Sequence, residues 1–237
     1  MPTLDPESIP TLALPTLEPL GEATPDLLPT LETATGGAEN PVPTGSNDYL
    51  ETFDSAGDWG IGILEDDAGN IEVNAEIEGG VLTFETFVEN GFYWSTAGQN
   101  FGSGVYELDV TAVSGSENNG IGMIFFANNE TDDFYLFEIS SDGFVWLGYC
   151  QSGCQDISYL VGDGWFPSDA IKQGMGATNN MRVDVNDGSM TFYVNDTIVG
   201  EAFDTNLSSG DIGVAIESFD GGAMALEFDN FKYTAQP

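Results

Sequence analysis

Eight aromatic residues fall in or beside the loops and strands of the chain's middle section: Tyr93, Trp94, Tyr135, Trp146, Tyr149, Tyr159, Trp165 and Phe166. Sugar rings stack on aromatic faces, and Asn, Asp and Gln side chains orient their hydroxyls, so this cluster suits a polar ligand on an apolar floor. Trp146 and Tyr149 lie just before the Cys150–Cys154 loop, and Trp165 lies beyond it. Zinc sites built from closely spaced cysteines come in pairs or with histidine, and this chain has two cysteines and no histidine. A Cys150–Cys154 disulfide closing a small loop is therefore expected, which implies an oxidising compartment and a secreted or cell-surface protein. The bridge would stiffen one rim of a binding site and lower the ordering cost of binding. Trp146, Tyr149, Trp165, Tyr135 and Trp94 are the candidate ligand-binding residues; the competing reading places such rings in a hydrophobic core.

Charge narrows the chemistry. The 237 residues include 40 acidic and 3 basic side chains, for a formal net charge of -37. Three cations cannot neutralise a phosphate backbone, which excludes a nucleic-acid partner, nor do they attract an anionic membrane surface. Without histidine there is no Ser-His-Asp triad and no His-ligated metal. Sugar binding, glycoside hydrolysis, calcium binding and structural work remain. No run reaches the roughly 18 apolar residues of a membrane helix, so no membrane insertion is expected. The first residues have neither the basic start nor the apolar block of a signal peptide, so we expect that such a segment was removed or lies upstream.

The elements that must position these residues are strands. Tyr106, Leu108 and Val110 alternate with Glu107, Asp109 and Thr111, and Met190, Phe192 and Val194 repeat the period of two. Turn signals punctuate the runs at Gly79-Gly80, Asp142-Gly143, Asp187-Gly188, Asn195-Asp196 and Gly221-Gly222. Strands are predicted near 49–53, 71–77, 80–88, 104–114, 119–127, 133–140, 143–150, 180–187, 189–195, 197–203, 211–219 and 223–233, with one helical turn from Pro167 to Lys172. The expected fold is all-β: a two-sheet antiparallel β-sandwich or jelly roll over residues 47–237.

Residues 1–46 differ in composition. They hold nine of the eleven prolines, no aromatic residue and no Lys or Arg, and Pro-Thr-Leu recurs at Pro2, Pro10, Pro15 and Pro29. Frequent proline favours an extended stalk. The repeated leucines from Leu4 to Leu31 allow a second reading, a tail that docks on another copy and makes a homo-oligomer.

The series Asn119-Gly120-Ile121-Gly122-Met123-Ile124-Phe125 is followed by Asp133-Phe134-Tyr135-Leu136-Phe137-Glu138-Ile139-Ser140 and Asp142-Gly143. Further on come Asn180-Met181-Arg182-Val183-Asp184-Val185, Phe192-Tyr193-Val194-Asn195 and the closing Phe228-Asp229-Asn230-Phe231. Together these resemble the concanavalin A-like lectin/glucanase superfamily over roughly residues 49–234, especially bacterial laminin-G-like and glucanase-like modules. The resemblance implies a jelly roll that hosts lectins, hydrolases and structural modules alike. Its glucanases carry Glu-x-Asp on one strand with a second glutamate just beyond. Here Glu107-Leu108-Asp109 continues as Val110-Thr111-Ala112, without that glutamate, so no enzyme is expected and the two acids read as a solvated strand face. The resemblance also implies a structural calcium (Ca2+) with a last-strand ligand at Asp229, and Asp54 is the local partner to test. The reading is an extracellular, non-catalytic module that binds a polysaccharide or glycan, or mediates adhesion, on a stalk. A filament or surface-layer subunit docking through residues 1–46 is second, and a glucanase-type glycoside hydrolase third.

Overall fold

Alternation decides which side of each strand is buried. In the computed structural model, which describes residues 48–55, 57–219 and 221–236, the strand Gly104–Ser114 turns Tyr106, Leu108, Val110 and Ala112 inward and leaves Glu107, Asp109 and Thr111 half-exposed. The expectations for residues 1–46, stalk or docking tail, lie outside the described residues.

Sixteen strands form two antiparallel sheets. The first part of the chain gives β1 (Tyr49–Glu51), β2 (Gly62–Glu65), β3 (Ile71–Glu78), β4 (Val81–Thr86), β5 (Gly91–Thr96), β6 (Gly104–Ser114) and β7 (Gly120–Asn128). The middle gives β8 (Asp133–Ser140), β9 (Phe144–Gln151), β10 (Asp156–Tyr159) and β11 (Phe166–Pro167). The last third gives β12 (Thr178–Asn186), β13 (Ser189–Val194), β14 (Thr197–Phe203), β15 (Asp211–Ser218) and β16 (Met224–Ala235). One sheet has nine strands in the order β14-β13-β12-β6-β16-β4-β3-β2, with β1 also on β16. The other has seven, in the order β10-β9-β8-β7-β15-β5, with β11 also on β9. The chain crosses between sheets repeatedly, and the all-β sandwich expected from the sequence is what it forms.

The turn chemistry is as read from the sequence. Gly79-Gly80, Asp187-Gly188 and Asn195-Asp196 have positive φ at both positions, as a two-residue hairpin that follows the twist of its strands requires. Between the sheets, Tyr106, Phe125, Tyr135, Phe137, Phe192 and Phe228 fill the main core. Phe125 stacks on Tyr135 with centroids 5.3 Å apart, and Phe137 meets Phe192 edge-on at 5.4 Å.

Two corrections concern local elements. The expected helical turn from Pro167 to Lys172 is absent, because Pro167 ends β11 on β9 and Ser168 donates its N–H to the Gly143 carbonyl. That bond pins the segment to the sheet before a helix can start. The strands β2, β5, β10 and β11 were not expected. β5 matters most, because Gly91–Thr96 carries Trp94.

Candidate functional site

The two outer faces of the sandwich differ. On the nine-stranded sheet the outward residues remain half-exposed, as in the β12 alternation of Met181, Val183 and Val185 against Arg182 and Asp184. On the seven-stranded sheet both sides are covered: β7, β8, β9 and β15 are buried almost throughout. Its outer side carries a second apolar cluster of Trp94, Ile124, Phe134, Leu136, Trp146, Cys150 and Ala215, with Phe92, Cys154 and Trp165 packed against it.

The register builds a trough there. Trp146 pairs with Glu138, Glu138 with Gly122, Gly122 with Ala215, and Ala215 with Trp94, one residue from each of five adjacent strands. Two tryptophans thus end a row whose middle is small. At about 4.8 Å per strand their Cα atoms lie roughly 19 Å apart. Above this row is a cavity of about 340 Å³, bounded by Phe92, Trp94, Trp146, Trp165 and Phe219 and by the 152–155 loop. Its size is within the range of small-ligand sites.

The disulfide forms as expected between Cys150 and Cys154. The loop it closes folds back on the sheet: Gly153 donates its N–H to the Asp132 carbonyl at 2.8 Å, and Ser152 to Asp133 Oδ1 at 2.9 Å. Ser152, Gly153 and Cys154 all have positive φ, at 50°, 66° and 65°. Non-glycine residues enter that region at a cost, so the bridge and the two anchoring bonds hold a turn the free peptide would avoid. Gly153 packs over the Trp94 ring, and the loop forms one wall of the cavity.

Two carboxyls line the floor. Glu138 on β8 and Glu217 on β15 flank Gly120 and Gly122 of β7, diagonally across that strand. A Cβ at Gly120 would lie 2.8 Å from Glu138 Oε1 and 3.0 Å from Glu217 Cβ, so glycine is what admits the pair. Glu138 is 2% exposed. Burial and the neighbouring Glu217 carboxyl hold its pKa well above the usual carboxylate range. Burial likewise pushes Glu217 up, although its contact with Glu138 pulls the other way. The pair keeps at least one proton where ordinary glutamates have lost theirs. Asp132, at the disulfide end of the cavity, is also raised by burial and then by the Asp133 charge.

Of the five residues expected to bind ligand, three meet here: Trp94, Trp146 and Trp165 line one cavity. Tyr135 and Tyr149 face the other way, into the core between the sheets. The reason is the period of two: on β8 the even-numbered Phe134, Leu136 and Glu138 face the trough, and on β9 Trp146 and Cys150 do. Tyr135 donates its hydroxyl proton to Asp204, which anchors the 204–207 turn, and its ring meets Tyr149 at 5.5 Å.

Glu107 and Asp109 lie on the opposite outer face, as their alternation indicated. Lys232 Nζ donates to Glu107 Oε2 at 2.9 Å. The amides of Asn180 and Asn230 donate to Asp109 at 2.9 and 3.0 Å. Asp229 is engaged by the backbone and side-chain N–H groups of Asn230. Asp54, exposed after β1, accepts from the Thr52 hydroxyl at 2.9 Å and lies beside Gly80. Neither acid joins a cluster of three or more Asp, Glu, Cys or His groups among the described residues.

Glu138 and Glu217 were missed as site residues. The signal was present: Glu138 interrupts the otherwise apolar run Phe134–Ile139 and Glu217 ends the apolar or small run Gly213–Ile216, each at a position the pleat turns away from the core. Nothing in the sequence placed the two runs side by side.

No family model and no curated protein matches the chain. Solved structures match at the level of the fold. The carbohydrate-binding module CBM66 from Bacillus subtilis superposes with a TM-score of 0.54 at 14% identity, over 74% of this chain and 95% of that one. A Bacillus licheniformis beta-glucanase gives 0.58 at 15% identity, over 81% and 100%. LamA from Zobellia galactanivorans, in complex with laminaritriose and laminaritetraose, gives 0.55 at 13% identity, over 79% and 98%. The chain has the concanavalin A-like jelly-roll fold that these proteins share.

Proposed function

We propose that the protein is an extracellular carbohydrate-binding module whose glycan lies in the trough on the outer face of the seven-stranded sheet. The observation that carries this reading is the row Trp146–Glu138–Gly122–Ala215–Trp94. Trp94 and Trp146, 5% and 7% exposed, give it apolar ends, and the partly buried Trp165 beside it can offer a ring to a sugar face. Its small centre leaves depth, and its carboxyls can engage hydroxyls. Solved structures with this fold include a carbohydrate-binding module and a protein complexed with laminari-oligosaccharides, which supports the ligand class. The Cys150–Cys154 bridge supports an oxidising, extracellular setting.

A non-catalytic role is the better reading of the carboxylates. Glycosidases hold two carboxyls about 5–9.5 Å apart around the scissile bond. Glu138 and Glu217 are packed together on the trough floor, each affecting the other's proton affinity, and Glu107 and Asp109 are engaged on the far sheet. The test is retention on a polysaccharide array, read also for released reducing ends. Wild-type protein is retained without release, and Trp165→Ala loses about tenfold or more in affinity while keeping its thermal midpoint, since Trp165 is only partly buried. Retention unchanged by Trp165→Ala would remove the trough from the account, and release of sugar would replace binding with hydrolysis.

A further inference from the structure

Among the described residues the Glu138–Glu217 pair has no counter-charge. All three cationic side chains are engaged away from the trough. Lys232 contacts Glu107. Arg182 contacts Asp184 and Asp196 and covers the Tyr193 ring at 3.8 Å. Lys172 donates to the Thr178 carbonyl. Glu138 Oε1 is buried and receives no hydrogen bond from an N–H or hydroxyl group among the described residues. The polar group it faces is the Glu217 carboxyl, an acceptor like itself unless the two share a proton. Buried carboxyls without a paired cation are costly, and such groups otherwise occur paired or at a metal.

We propose that this pair binds an organic ammonium group, so that the sugar taken by the trough is an amino sugar with a free amine. The inference rests on the carbohydrate reading of the trough and specifies its ligand. In the empty site a proton neutralises the pair; the ammonium displaces that proton and supplies both positive charge and N–H donors. A metal ion suits the pair poorly. Calcium takes six to eight oxygens. Although Asn90, Asp132, Ser152, Gln155 and Ser218 also line the cavity, no group of three or more Asp, Glu, Cys or His among the described residues is placed to hold an ion. The pair itself stands beside the apolar walls of Phe92, Leu136 and Trp146. Those walls favour an organic cation, because the faces of tryptophan rings attract ammonium groups. Trp146 is the direct cross-strand neighbour of Glu138, and Phe92 that of Glu217, so each carboxyl has a ring beside it.

A molecule of net charge -37 attracts any polycation, so the test uses short ligands and a surface control. The disaccharides of glucosamine, N-acetylglucosamine and glucose are titrated calorimetrically at pH 6 and physiological salt, where the free amine is protonated. The glucosamine disaccharide is expected to bind at least tenfold tighter than either neutral one. The double variant Glu138→Gln/Glu217→Gln, its folding checked by thermal midpoint, brings the three within about twofold. Glu201→Gln, exposed on β14, leaves the preference intact. Should the double variant fail to fold, Glu217→Gln alone must reduce the preference. Equal binding of all three sugars overturns the ammonium inference and leaves the carbohydrate reading standing. A preference that survives Glu217→Gln or the double variant overturns it as surface electrostatics. Binding of none overturns both.

Discussion

The outer faces of the two sheets are made from the same alternating strands, yet they treat acidic residues in opposite ways. On the nine-stranded sheet, Glu107 and Asp109 are half-exposed and meet Lys232, Asn180 and Asn230 at ordinary hydrogen-bond distances. Water screens what those partners leave over. On the seven-stranded sheet, Glu138 and Glu217 line a cavity bounded by the disulfide loop, Trp165 and Phe219, and there burial makes the same side-chain type hold on to protons. A carboxylate's chemistry is set by what covers it more than by its place in a strand.

The contrast can be broken most severely at Gly120. In Gly120→Val the new side chain must enter space held by the Glu138 carboxyl and the Glu217 Cβ, and overpacking of this kind costs about 1–3 kcal/mol. A fall of the urea midpoint at unchanged slope is the expected reading; no change would mean the floor is looser than the geometry shows.

A smaller effect with a definite sign comes from pH. Glu138 and Glu217 have folded pKa values above those of the unfolded chain. The stability they contribute is therefore complete below the ordinary carboxylate pKa and is lost as pH rises through the raised values. The thermal midpoint should fall from pH 5 to pH 8. Glu138→Gln should flatten that fall and stabilise the protein at pH 8 by about 1 kcal/mol, because it removes a buried, unpartnered group whose ionisation burial penalises. A steeper fall in the variant would contradict the shared-proton picture. The general repulsion of a chain at -37 acts on both proteins and cancels in the comparison.

On the open face the matching substitution should do little. Glu107→Gln weakens one partly exposed contact with Lys232, worth about 0.2–1 kcal/mol, and should leave glycan retention untouched. If retention falls with Glu107→Gln, the binding face has been misassigned. The smallest effect concerns calcium at Asp54 and Asp229. Excess chelator lowers the thermal midpoint if those acids hold an ion, since a ligand bound only by the folded state stabilises it, and an unchanged midpoint removes the ion.

Much of the fold was legible in the chain. The alternation in Tyr106–Val110 and the hairpin signals at Gly79-Gly80, Asp187-Gly188 and Asn195-Asp196 are local properties of the backbone, and they survive into the structure unaltered. The bridge between Cys150 and Cys154 was legible for the same reason, because few residues separate its ends. Trp94, Trp146 and Trp165 were legible as candidates by type alone, while Tyr135 and Tyr149 could not be sorted from them. In a strand covered on both sides, every position is apolar and the pattern no longer says which side faces out.

What the sequence determined by itself was therefore the kind of element and the absence of cationic and histidine chemistry, since both follow from residue type and near spacing. Tertiary structure alone decided that β8 and β15 lie on either side of β7, and so that two glutamates far apart in the chain share one cavity with three tryptophans. Strand order between distant segments is settled by how the sheets close around the core, and that is a property of the whole chain.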